Sequence, residues 1–145
     1  MADIRGKTRV MHASGPEARD PSDSTVEVFP PAVESVRAAR QYVQRRCAEA
    51  HFPPSLCAEA ELLIGELVSN VVRHARTDAR VRVQTSLDHL FVEVGDTGDP
   101  AAAITPVQPT VHGGRGLRMV DVVAGSWGVR RCTGGKTVWF DLARP

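Results

Sequence analysis

Ile64, Leu67, Val68, Val71 and Ala75 recur at i, i+3, i+4, i+7 and i+11. That is the period of an α-helix with one buried stripe, so the rest of the chain must supply a layer to cover it. Ser55 is suited to the N-cap of this helix, and Glu59 and Glu61 lie near its positive end. Beside the apolar stripe, Glu66, Asn70 and His74 recur every four residues. Residues so spaced project to the same side of a helix, about 6 Å apart at Cβ.

The covering layer reads as a sheet. Val81 and Val83 alternate with Arg80, Arg82 and Gln84, and Leu90, Val92 and Val94 alternate after Asp88-His89, which predicts two adjacent antiparallel strands with a turn near Leu87 to His89. Thr25-Val26-Glu27-Val28-Phe29 alternates as a short strand that Pro30-Pro31 ends, and Val33, Val36, Ala39, Arg40 and Val43 keep a helical period to about Ala50. His51-Phe52-Pro53-Pro54 separates the two helices. Residues from Asp96 to Gly114 hold three prolines and little pattern, which predicts a lid-like loop. Leu117, Val120, Asp121 and Ala124 predict a third helix starting near Gly116, and Trp127 to Cys132 with Thr137 to Leu142 predict a closing hairpin around Thr133-Gly134-Gly135-Lys136. The order gives an α/β (α+β) two-layer sandwich: a mixed, mostly antiparallel sheet with about three helices on one face. Residues 1–24 lack apolar periodicity and read as a flexible leader, leaving 25–145 as one domain.

Composition excludes several functions. The chain has 145 residues, 42% apolar and 24% charged, with a net charge of +1. No apolar run nears the ~20 residues of a membrane span, and no secretory signal opens the chain. The expected location is the cytoplasm, with no membrane and no direct nucleic-acid partner. Cys47, Cys57 and Cys132 form no Cys-x-x-Cys motif and read as idle thiols.

Four short stretches carry chemistry. Glu66 and Asn70 can serve one hydrated cation, Asn70 through its amide oxygen and Glu66 by holding or deprotonating a water or hydroxyl, although a solvated helix face has the same pattern. Asp96-Thr97-Gly98 follows a strand, where a carboxylate can accept from an exocyclic amine and Gly98 leaves room for a ring; an Asx turn uses the same residues. Gly113-Gly114-Arg115-Gly116-Leu117 opens a helix, which suits either phosphate binding or a lid hinge. Gly135-Lys136-Thr137 is not a P-loop, because Arg130 stands where the first glycine is needed and a strand follows. Arg73 and His74 lie one turn past Asn70, within reach of a phosphate or as surface residues at the helix end.

In chain order, Glu66-x-x-x-Asn70, Asp96-x-Gly98, Gly114-x-Gly116-Leu117 and Gly135-Lys136-Thr137 resemble the GHKL (Bergerat-fold) ATPase superfamily over residues 25 to 142. Glu66 to Ala75 and Gly114 to Leu117 look most like actinobacterial anti-sigma-factor serine/threonine kinases. The resemblance implies ATP and Mg²⁺ as cofactors, Glu66 as catalytic base, Asn70 as metal ligand and Asp96 with Gly98 as adenine reader. Thr137 would support Asp96, while Gly114, Arg115, Gly116 and Leu117 border the phosphates. It further implies a homodimer that phosphorylates an anti-anti-sigma antagonist and sequesters a sigma factor. Asp99-Pro100 departs from the second glycine common in the adenine motif and places like charge near a triphosphate. That departure favours an alternative, a non-catalytic switch that binds ATP or no nucleotide. The ATPase half of a sensor histidine kinase fits poorly, since the leader is too short for a dimerisation helix pair around His12.

Overall fold

The structure is a computed structural model that describes residues 8–10, 24–98 and 124–145. Its elements are β1 (Thr8–Val10), β2 (Ser24–Phe29), α1 (Glu34–Glu49), α2 (Pro54–Asn70), a π-helical turn (Val71–Ala75), β3 (Ala79–Thr85), β4 (His89–Asp96), β5 (Ser126–Cys132) and β6 (Gly135–Ala143). One six-stranded sheet runs in the order β1-β5-β6-β4-β3-β2. All its pairs are antiparallel except β1 with β5, which is parallel. Three residues of the expected leader, Thr8–Val10, thus lie on the sheet as an edge strand. The expected third helix and the loop beyond Gly98 fall outside the described residues.

Register explains why the sheet has one thoroughly apolar face. Val81 pairs with Val94, Val83 with Val92, Leu90 with Leu142, Val92 with Phe140, and Phe140 with Trp127. Because side chains alternate along a strand, these residues share a face. They form one core with Leu63, Ile64, Leu67 and Val68 of α2 and with Ala39, Tyr42, Val43 and Cys47 of α1. The opposite face carries its own contact, Phe91 against Trp139 with ring centroids 5.8 Å apart.

The helices depart from expectation in detail. In α1 the buried stripe runs through Ala39, Tyr42, Val43 and Cys47, while Val33 lies outside the helix and Arg40 is exposed. The stripe is anchored at the sheet edge, where Tyr42 and Thr25 hydroxyls share a 2.6 Å hydrogen bond. Ser55 is not the N-cap of α2: Pro53 caps it and Pro54 takes the first helical position. A proline there needs no N–H partner and has its φ preset for the helix. Cys47 and Cys57 are free and buried, and burial beside Cys57 holds the Cys47 thiol well above its ordinary range. That keeps it protonated and unreactive.

Candidate functional site

Glu66 and Asn70 occupy the last turns of α2, both half-buried, one turn apart as the periodicity predicts. Asn70 Oδ1 is buried and has no hydrogen-bond partner among the described residues. An orphaned buried acceptor costs about 1–3 kcal/mol, so its retention is understandable when the oxygen serves a ligand. After Asn70 the helix widens, Val71 to Ala75 forming a π turn closed by the Arg76 N–H donating to the Val71 carbonyl at 2.7 Å. Such bulges recur at functional sites. Arg73 and His74 lie within this wider turn, both exposed.

Arg76, in the left-handed region at φ 58°, reverses the chain into β3. The helix end and the end of β4 are then held together. The Thr97 N–H donates to the Thr77 hydroxyl at 3.2 Å. Gly98 sits so close to Ala75 that a Cβ on it would lie 3.1 Å from the Ala75 Cβ. Asp96 and Gly98 therefore reach the region of the Asn70 helix end by contacts between elements far apart in sequence.

Asp96 is buried, and the Gly98 N–H donates to its Oδ1 at 2.9 Å. This is the Asx turn anticipated for Asp96-Thr97-Gly98, and it orients the carboxylate. Its other oxygen, Oδ2, accepts from Lys136 Nζ at 2.9 Å. The two side chains are 3% and 9% exposed. Strand pairing sets Lys136 directly across from Asp96.

Thr137, expected beside Asp96, stands across from Gly95 instead. A Cβ on Gly95 would meet Thr137 Oγ1 at 3.2 Å, so Thr137 covers the opposite face of the sheet from Asp96. Lys136 is the residue that sequence reasoning passed over. Its signal was parity: Lys136 shares its side with Val138, Phe140 and Leu142 of β6, once the turn is placed at residues 133–134 rather than through Lys136. Gly135 makes this approach possible, since it has φ 152° and a Cβ there would overlap the Asp96 backbone. Gly114, Arg115, Gly116 and Leu117, as well as Asp99 and Pro100, lie outside the described residues.

The donor set suits a hard cation that keeps most of its water. Among the described residues no three His, Cys, Asp or Glu side chains gather as a metal cluster. The fit to Mg²⁺ therefore rests on the unpartnered amide oxygen of Asn70, with Glu66 beside it, the sparse oxygen ligation that magnesium tolerates. Among the described residues no helix is long and apolar enough to cross a membrane.

The family model of the histidine kinase-like ATPase domain matches residues 29–142. The fold is similar to that in the crystal structure of the RsbU and RsbW domains of Rv1364c from Mycobacterium tuberculosis, with a TM-score of 0.66 at 18% sequence identity. That match covers 84% of this chain and 33% of the other, so this chain spans about a third of its length. No curated protein matches the chain.

Proposed function

Since the chain belongs to the histidine kinase-like ATPase domain family, we propose that it binds Mg-ATP between the end of α2 and the end of β4 and transfers the γ-phosphoryl group to a serine or threonine of a partner protein. The partner is an anti-anti-sigma antagonist, and the unphosphorylated partner competes with a sigma factor for a homodimer of this chain. This is the anti-sigma-factor type of kinase that the motifs resemble. The observation that carries the reading is the buried Asn70 oxygen without a hydrogen-bond partner among the described residues, one turn from Glu66, with the Asp96 turn packed on Ala75 just beyond it in the chain.

In this reading Asp96 accepts from the adenine amine, and its orientation comes from the Gly98 N–H. Asn70 would hold Mg²⁺, which when bound would neutralise charge on the phosphates. Glu66 takes the proton of the attacking hydroxyl as the new oxygen–phosphorus bond forms and ADP departs. Positioning by these groups supplies most of the acceleration, because phosphoryl transfer asks little covalent chemistry of a protein.

Calorimetry with Mg-ATP tests the site. Wild type should bind, Asp96→Asn should lose binding, and Glu66→Ala should keep it while abolishing transfer of labelled phosphate to an antagonist. Equal affinity in all three proteins would dismiss the assignment.

The second reading, a non-catalytic switch, is the one that Asp99-Pro100 in the adenine motif favours. If antagonists bind but none is ever labelled, the switch replaces the kinase.

A further inference from the structure

The Asp96–Lys136 pair is more than a neutralised charge. A lysine with 9% of its side chain exposed and a carboxylate with 3% have left water, and buried charges need a full set of partners. An ammonium has three donors and an ionised carboxylate about four acceptor sites. The described contacts use one Lys136 donor on Oδ2 and, on Oδ1, one acceptor site for the Gly98 N–H. Beyond that 2.9 Å bond, the described contacts leave acceptor capacity on Asp96 and donor capacity on Lys136, on neighbouring groups at the end of β4 and the start of β6. The six-membered ring of adenine carries the complementary arrangement, the N6 amine as donor next to N1 as acceptor. Thr137 cannot supply this donor, since it faces the other side of the sheet.

We propose that Lys136 is a nucleobase-reading residue, its ammonium donating to N1 of the adenine whose N6 amine Asp96 accepts. The proposal rests on the nucleotide reading above and adds a direct, charged contact to it. A base without an acceptor at that place leaves a buried donor facing carbon, the situation that gives polar sites their strongest discrimination.

The test changes the ligand rather than the protein. Wild type is titrated with Mg-ATP and with the Mg complex of 1-deaza-ATP, in which N1 is a C–H group. The expected result is binding of 1-deaza-ATP at least about tenfold weaker than ATP, the scale of one charge-assisted hydrogen bond. In Lys136→Met the two nucleotides should bind within about twofold of each other. Lys136→Gln, which keeps a donor without burying a charge, should fall between. Equal affinity of wild type for ATP and 1-deaza-ATP overturns the role of Lys136 and leaves nucleotide binding intact. Binding of neither overturns the nucleotide reading and this inference with it. Should Lys136→Met fail to fold because Asp96 is left uncompensated, the wild-type comparison and Lys136→Gln still decide.

Discussion

Replacing Gly135 by alanine probes the joint that creates the site. Gly135 has φ 152°, a conformation that side chains rarely adopt, and strain of this kind costs about 1–3 kcal/mol. The new Cβ would also overlap the Asp96 carbonyl oxygen and lie 2.8 Å from the Asp96 carbonyl carbon and the Thr97 Cα. All three are backbone atoms, so no rotamer change relieves the contact, and β4 and β6 must separate where Asp96 pairs with Lys136. Loss of one cross-strand hydrogen bond adds about 0.5–1.5 kcal/mol. Gly135→Ala should thus destabilise the fold by about 2–4 kcal/mol, read from the urea midpoint at unchanged m, and should weaken Mg-ATP binding by displacing Asp96. Gly134→Ala is the matched control: a Cβ there meets nothing within 4 Å, and the change should stay within about 0.5 kcal/mol. If the two alanine variants were equally stable, or Gly135→Ala bound ATP as wild type does, the close approach would not be what shapes the site.

Asn70→Ala removes an unsatisfied buried oxygen and adds helix propensity. The ligand-free protein should be as stable as wild type or more so by up to ~1 kcal/mol, while Mg-ATP affinity falls; a stability loss above ~1 kcal/mol would mean the amide is structural. Phe140→Ala, at the fully buried centre of the sheet, should cost about 3–5 kcal/mol by denaturation, as large-to-small core changes do. Burial first, partly offset by the Thr25 hydrogen bond, holds the Tyr42 phenol above its ordinary 10.0. Unfolded chains then lose the phenolic proton before folded ones, so Tyr42 makes stability fall as pH rises past about 10. Tyr42→Phe should flatten that decline in pH-dependent thermal melting, and an unchanged slope would assign it to other groups.

The α2 stripe was legible because it needs only local spacing. Leu67, Val68 and Val71 are buried as a period of 3.6 requires, with Glu66 and Asn70 half-buried beside them. The β3 and β4 strands were legible for the same reason, since alternation reports a half-buried strand without reference to its neighbours. Where the outcome depended on turn placement, reading failed. A hairpin turn centred one or two residues late moves Lys136 out of the strand and sets Thr137 beside Asp96. A one-residue slip in register inverts every side chain's face. The π turn had no sequence signal at all, and Ser55 lost the cap to Pro53 because proline stiffness at Pro53-Pro54 outweighs a capping hydroxyl one residue later.

By itself the sequence determined which residue types could do chemistry and on which elements they stand: a carboxylate and an amide on one helix, an Asx turn ending a strand, a glycine-rich return. Their order along the chain was enough to indicate the histidine kinase-like ATPase family, which the match over residues 29–142 establishes. Only the tertiary structure decided what Asp96 faces. Its partner Lys136 lies forty residues away in sequence and was delivered by the antiparallel register of β4 on β6 and by the missing side chain of Gly135. Local periodicity reveals which way a side chain points relative to its own strand. Which group waits opposite depends on where two distant strands align, and that is set by the packing of the core both strands share.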